Sequence, residues 1–545
     1  MRTVNRLTQL NLSERLGRLN HCYLVGCLIL LGLLLRLPFL RLGLFRDEGS
    51  TYFDALPTTP GEVVRTVILC ELNPPGFFLI MHQWMRWFGS QEIIFKLPAL
   101  IFGLLLIAAT YGLGRVVGSR TTALLAVLFA TLAPAAVYYS QEARPYTLSA
   151  LLSCLSVLLY CQALRSKRQI PYLLGFVVCA GLLVYVHYTG LLLVGSLAAV
   201  TSLFWLRRTE LHIRIVPFIF AFGGIFLLFL PWLPTFLIHL STEVPWEDKS
   251  PLWKLPYQLV DHLSYTIPLV GFLQKPLSFV VVLILGVRIG QFFYRTGKVT
   301  RFQNAPYNLP IVTLEASLGL LTILEAVLVS NGRRYMFIFF PLAWVVYSYW
   351  LLVLFKYLDS HWQSRSDNRQ LQLALKLFFV LVLLGGFVFP NAISALYRGY
   401  HAQHHPKSGM RPLIADVKKM NWEKTVFLVA PNPLAPSFGY YSAQMQISAP
   451  LYGFPVWDHP ELFIVQDYVQ RLKAPAAVTA AEQRIREQAR QGYRQLALVT
   501  FAGEKDSQTE QLLAKLKLKY PMLLTKDYSG AEPVTLHLFS WASTQ

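Results

Sequence analysis

The residues best suited to chemistry in this 545-residue chain occur in short clusters. The first is Asp47-Glu48, in the run Leu44-Phe45-Arg46-Asp47-Glu48-Gly49-Ser50-Thr51-Tyr52-Phe53-Asp54-Ala55. Adjacent carboxylates suit proton abstraction. They also follow closely on a long apolar run, where an ionisable pair is costly unless it faces water or a ligand. The second cluster is Glu71-Leu72-Asn73-Pro74-Pro75-Gly76, whose prolines open a helix that carries His82 two turns in. The third, Tyr138-Tyr139-Ser140-Gln141-Glu142-Ala143-Arg144-Pro145-Tyr146, sets an acid and a guanidinium two residues apart. They form either a tolerated ion pair or part of a polar site that closes over an anion. The fourth is Asn331-Gly332-Arg333-Arg334-Tyr335, where two planar forks suited to phosphate oxygens share a short loop. Snorkelling to lipid headgroups is the simpler account of such arginines. His187-Tyr188 adds a polar and aromatic pair.

The elements that must position these clusters are membrane spans. Hydrophobic side chains make up 54% of the chain and charged ones 14%. With a mean hydropathy of +0.44, that composition fits a polytopic membrane protein and excludes a soluble multi-domain one. The net charge of +20 does not indicate nucleic acid, because the Lys and Arg residues sit in short clusters between apolar runs. Windows of about 20 apolar residues predict eleven spans, near 21–40, 95–117, 121–139, 146–164, 170–187, 189–206, 214–236, 277–294, 309–329, 334–356 and 371–390. These spans read as nearly free of charge. The run Pro74 to Phe88 is left out as an interfacial helix, being short and carrying His82 and Arg86.

The positive-inside rule supports that omission. It leaves the basic loops 115–120, 165–168, 207–214, 295–301 and 356–376 on the cytoplasmic side, whereas a crossing at 74–88 would move them all outside. The same parity places the acidic 41–94 loop and the C-terminal tail outside the cytoplasm. The N-terminus reads as a retained first span, since the apolar run is long for a signal peptide and has no small-residue cleavage site. From about Asn391, strand-like runs at 426–429, 496–500 and 534–539 alternate with helical patterns at 480–491 and 508–518. The expectation is a membrane domain over 1–390 and a small extracytoplasmic α/β domain over 391–545. The latter has no glycine-rich phosphate loop, which favours a binding or scaffolding role. The six cysteines imply neither a disulfide framework nor a zinc site.

Taken in order, the acidic pair after the first span, the Asn-Pro-Pro-Gly run opening a helix that ends Trp-Phe-Gly, the Tyr-Tyr-Ser-Gln-Glu-Ala-Arg-Pro-Tyr run, the His-Tyr pair and the late Arg-Arg-Tyr resemble the GT-C fold glycosyltransferases. The likeness is to glycosyltransferase family 39, the protein O-mannosyltransferase-like and aminoarabinose transferase-like group, over about residues 20 to 350. The resemblance implies an inverting transfer of a sugar from a polyprenyl-phosphate donor to a lipid, glycan or protein acceptor at the outer face of the plasma (inner) membrane. It makes Asp47 the general base, supported by Glu48. Arg333, Arg334, Arg144 and His187 become the candidates for holding the donor phosphate, and Glu142, Tyr146, Asn73, His82 and Tyr335 for contacting substrate. Asn73 departs from the group's pattern, which often has His or Lys there, so that Arg46, His82 or Arg144 would have to substitute. Asp47, Glu48 and Glu142 could bind a divalent cation, although an essential one is not expected. The rival readings are a transporter or flippase of lipid-linked sugars and a non-catalytic scaffold. A transporter should carry charge near the bilayer midplane.

Overall fold

A computed structural model describes residues 21–206, 214–242, 251–267, 273–296, 308–328, 334–365, 385–386, 390, 393 and 407–541, the last range apart from 421, 456–459, 473, 475 and 503–506. Seven helices among these residues are long and apolar enough to cross a membrane. They are α1 (His21–Arg41), α5 (Glu92–Val117), α8 (Tyr146–Arg165), α10 (Thr189–Leu206), α11 (Ile215–Ser241), α14 (Leu309–Leu328) and α15 (Tyr335–His361). Other helices lie between them: α2 (Arg46–Ala55), α3 (Pro60–Cys70), α4 (Gly76–Phe88), α6 (Arg120–Leu132), α7 (Pro134–Tyr139), α9 (Ile170–Val186), α12 (Leu255–Thr266) and the 23-residue α13 (Gln274–Thr296). The expected span 371–390 falls almost wholly outside the described residues. Helix α4 begins directly after Pro74-Pro75 and runs for 13 residues, too short to cross.

The span expected over 121–139 is broken in two. Pro134 has no N–H to offer the Ala130 carbonyl, and Ala133 leaves helical geometry at φ −56°, ψ 127°. The freed carbonyls are taken by the buried guanidinium of Arg36, which donates to Ala130 O and Thr131 O at 3.1 Å each and through Nε to Ser140 Oγ at 3.0 Å. One arginine of α1 thus caps the end of α6 and fixes the turn that leads to Glu142 and Arg144. The expectation of nearly charge-free spans also needs correcting. In α14, Glu315 accepts from Arg288 Nε at 3.2 Å and from Trp350 Nε1 at 2.7 Å. Glu325 lies fully buried in the same helix, with neither carboxylate oxygen hydrogen-bonded among the described residues.

The C-terminal part is a five-stranded sheet in the order β2-β1-β3-β5-β4. Its strands are β1 (Thr425–Ala430), β2 (Leu451–Gly453), β3 (Gln495–Phe501), β4 (Met522–Tyr528) and β5 (Val534–Ser540). β1 pairs parallel with β2 and β3, and β5 runs antiparallel between β3 and β4. The helices of this part are α16 (Met410–Val417), α17 (Ala435–Gln444), α18 (Val465–Leu472), α19 (Ala477–Arg490) and α20 (Ser507–Lys519). β1 and β3 are buried on both faces, and successive side chains alternate between two cores, one set packing with α19 and α20 while the other joins the core of the membrane part.

Helix α17 lies directly on α2. A Cβ on Gly49 would sit 2.6 Å from the Ser437 nitrogen, so only glycine permits this approach. Three polar contacts reinforce the junction. Leu44 N donates to Tyr441 Oη at 2.6 Å, Arg46 Nε lies 3.2 Å from Glu532 Oε1, and Lys407 N donates to Leu42 O at 2.7 Å.

Arg36→Met should leave the Ala130 and Thr131 carbonyls without donors, at about 1–3 kcal/mol per orphaned group. The thermal midpoint in detergent should fall, and Arg36→Met with Pro134→Ala should recover part of the loss, because residue 134 regains an N–H. The junction should also respond to pH. Burial pushes the Glu532 carboxyl up from 4.5 to about 7, against the pull of Arg46. The docked state therefore binds this proton more tightly than the unfolded chain. Its contribution is greatest below about pH 4.5 and is lost as pH rises through about 7. Thermal midpoints should show this fall, and Glu532→Gln should flatten it.

Candidate active site

Four of the sequence clusters converge on the first turn of α2. Phe45 precedes the helix in extended geometry, and Glu48 reaches back to accept from its N–H at 2.9 Å. The two carboxylates of this turn face the positive end of the helix dipole. Glu48 is completely enclosed; its other oxygen accepts from Ala143 N at 2.9 Å, which ties α2 to the turn after α7. Asp47, one position earlier, keeps 33% of its side chain exposed, and its Oδ2 accepts from Arg334 Nη1 at 3.0 Å. Burial alone would raise its pKa. The guanidiniums of Arg144, Arg334 and Arg46 outweigh that effect and hold it below the usual carboxylate value.

Arg144 is the hub of the buried side. It grips Glu71 with both nitrogens, at 2.5 and 3.2 Å, and also donates to Thr51 Oγ1 at 3.1 Å and to the Asp47 carbonyl at 3.2 Å. Glu71 ends α3, and Asn73 Nδ2 donates to it at 3.4 Å. Gly76 opens α4 against the end of α9, where a Cβ would lie 2.6 Å from the Tyr185 carbonyl. Asp54, buried beside Glu71, has its proton held by burial first and by the Glu71 charge second. Arg144 is consumed by this network, apart from its Nε, which has no partner among the described residues.

On the other side of Asp47 stands a group of rings. Tyr146 is 6.2 Å from His187 and 6.5 Å from Tyr335, with His187 and Tyr335 at 5.2 Å, all between centroids. Tyr146 also lies close to the Arg334 guanidinium, whose side chain is 40% exposed. His187 Nδ1 accepts from the Thr189 backbone N–H at 3.3 Å, which places the imidazole proton on Nε2. Burial, with Arg144 and Arg334 nearby, lowers its pKa to about 3, so the ring is neutral. Its Nε2 is buried without a hydrogen-bond partner among the described residues. The result is a spare neutral donor beside an exposed guanidinium.

Not every candidate gathers here. His82 binds the Ala55 carbonyl through Nδ1 at 3.0 Å, which pins α4 to the last turn of α2, the end opposite Asp47. Arg333 lies outside the described residues. Glu142 is buried behind Glu48, and burial, more than the adjacent Lys407 offsets, raises its pKa. Among the described residues no group of three or more His, Cys, Asp or Glu side chains is placed to hold a metal ion. Asp47 faces Arg334, and Glu48 and Glu142 face Lys407, at 3.4 and 3.6 Å. Sequence reasoning passed over Lys407 and Glu532, which approach α2 from beyond the last span. Glu71, by contrast, had a usable signal in its place just before Asn-Pro-Pro.

The family model described as dolichyl-phosphate-mannose-protein mannosyltransferase matches residues 73–234. No curated protein sequence matches the chain. Among solved structures, ArnT from Cupriavidus metallidurans in the apo state superposes with a TM-score of 0.59 at 12% identity, covering 95% of this chain and 97% of that one. The same protein bound to undecaprenyl phosphate gives 0.54 at 12% identity, with the same coverage of both chains. The archaeal oligosaccharyltransferase AglB from Archaeoglobus fulgidus, in complex with an inhibitory peptide and a dolichol-phosphate, gives 0.53 at 13% identity, over 95% of this chain and 74% of that one. Over nearly its full length this chain therefore has the GT-C fold, and residues 73–234 carry within it the sequence pattern of the protein mannosyltransferase family.

Proposed function

We propose that the protein is a membrane glycosyltransferase that moves a sugar from a polyprenyl-phosphate donor to a nucleophilic acceptor, with inversion, using Asp47 as general base. The observation that carries this reading is the meeting of Asp47 with Arg334 at 3.0 Å, beside the His187 Nε2 donor that has no partner among the described residues. A proton acceptor and an anion anchor then stand together, both partly exposed, at the start of α15. The likeness to ArnT, seen with undecaprenyl phosphate, and to AglB, seen with a dolichol-phosphate, supports a lipid phosphate as the leaving group.

In this scheme a donor phosphate oxygen takes the Arg334 guanidinium from Asp47, and His187 Nε2–H donates to a second oxygen. The acceptor hydroxyl attacks the anomeric carbon while Asp47 removes its proton. The bond from that carbon to the phosphate oxygen breaks, and the polyprenyl phosphate departs with the electron pair, its added charge met by Arg334. Glu48, fully enclosed, positions the helix turn and does not touch substrate. The positive-inside pattern supports an extracytoplasmic site in the plasma (inner) membrane, with residues 391–545 as a domain on the same side. Acceptors in reach of this chemistry are hydroxyls of a lipid, a glycan or a protein. One observation favours transport of a lipid-linked sugar instead, namely Glu325, a buried carboxylate inside a span with no hydrogen-bond partner among the described residues. Sugar-lipid crossing proteoliposomes without any transfer would support that alternative.

Asp47→Asn should lower kcat by about a hundredfold or more while donor binding persists, and transfer at the wild-type rate would remove the base assignment. Arg334→Gln should raise the donor KM and weaken retention of undecaprenyl phosphate. The acid limb of kcat/KM should lie below the ordinary carboxylate range in the wild type. In Arg334→Gln it should move upward, because one of the cations holding Asp47 ionised is gone.

A further inference from the structure

Lys407 belongs to neither half of the reaction just described, yet its side chain is buried directly behind it. It enters from the segment between the last span and the C-terminal sheet. Its backbone is fixed at both ends: its N–H donates to Leu42 O at 2.7 Å, and its carbonyl accepts from Glu532 N at 2.9 Å. The side chain is 5% exposed. Its ammonium lies 3.4 Å from Glu48 Oε2, 3.6 Å from Glu142 Oε1 and 5.1 Å from the centre of the Tyr138 ring. The charged groups around it are therefore Glu48 from α2, Glu142 from the turn after α7, and Lys96 from α5. Lys96 is occupied by the Gly43 carbonyl at 2.5 Å and by Glu92 at 3.7 Å. Lys407 is thus the cation that separates two buried carboxylates.

We infer that Lys407 is a positioning residue for Asp47, supplied to the site by the C-terminal part of the chain. It rests on the glycosyltransferase reading and adds a component to it. The coupling is geometric. Glu48 joins the first turn of α2 to Ala143, the neighbour of Arg144, and Arg144 in turn holds the Asp47 carbonyl. With Lys407 in place the Glu48–Lys407–Glu142 set carries one net negative charge. Without it the two carboxylates face each other, and either one takes a proton or they separate. Either response loosens the turn that aims Asp47. Removing Glu142 together with Lys407 restores the same net charge.

The test is steady-state transfer by the full-length protein in native membranes. The donors are undecaprenyl-phosphate-linked mannose, glucose and aminoarabinose, the host's envelope fraction serves as acceptor source, and released undecaprenyl phosphate is the readout. Lys407→Met should lower kcat by about 10–100-fold, the scale of a misaimed catalytic group, with the donor KM unchanged. Lys407→Arg should retain most of the activity, and Lys407→Met with Glu142→Gln should recover part of what the single variant loses. Should the single variant not accumulate as folded protein, the double variant carries the test, and activity in it above background is the expected result. Wild-type kcat in Lys407→Met, a proportional rise in donor KM, or a double variant no better than the single one would overturn the assignment. Absence of transfer by the wild type with every donor overturns the underlying reading instead, whereas transfer that is lost in Asp47→Asn upholds it and leaves the Lys407 result to be judged alone.

Discussion

The structure depends on pairing charges that have been taken out of water. A buried carboxylate or guanidinium costs several kcal/mol unless an opposite charge and hydrogen bonds replace its solvation. Around α2 the chain meets this demand by alternation. Arg144 grips Glu71, Lys407 separates Glu48 from Glu142, Arg46 meets Glu532, and Arg334 meets Asp47. Removing Arg144 or Lys407 leaves enclosed carboxylates without their counter-charge. Only the Asp47–Arg334 pair is substantially exposed, at 33% and 40%. It is therefore the one pair that a ligand can exchange cheaply, because water already competes for both groups.

This arrangement also explains why so short a helix can hold Asp47 in a fixed place. Helix α2 has ten residues, among them Gly49, Ser50, Thr51, Tyr52 and Phe53, which are poor helix formers. Its shape is imposed from outside, by α17 through the bare backbone of Gly49, by α4 through His82, and by the turn after α7 through Glu48. The C-terminal sheet is consequently part of the scaffold of the site. Tyr440 and Tyr441 share a core with Leu44 and Tyr52, and Glu532 and Lys407 reach the same helix turn.

Within the membrane part the same principle operates at one break. Pro134 ends α6 inside the apolar region, and Arg36 supplies the donors that the interrupted backbone needs. The turn thus anchored carries Ser140, Gln141, Glu142 and Arg144, all buried. A strained-looking sequence feature, a proline in the middle of an apolar run, proves to be what brings Arg144 to Glu71.

Much of the plan was legible along the chain. Apolar length predicts spans because lipid admits only helices whose backbone is satisfied internally. Alternating strand and helix patterns likewise located β1, β3, β5, α19 and α20. The clusters at 47–48, 138–146, 187 and 334–335 stood out because charge and hydroxyls are expensive at span ends. The edge strands β2 and β4 did not stand out. β2 has three residues, and most of β4 is exposed, so neither shows the burial pattern that marks a strand. Nor could local pattern divide 121–139, since hydropathy counts a proline as tolerable and cannot see Arg36 approaching from 95 residues away in sequence. The roles of Lys407 and Glu532 lie further still from what a sequence shows. A lone lysine more than 350 positions from Glu48 carries no local signal. Pairing of buried charges is a matter of distance in space, so residue types set which charges need partners, and only the folded chain decided which partners they received.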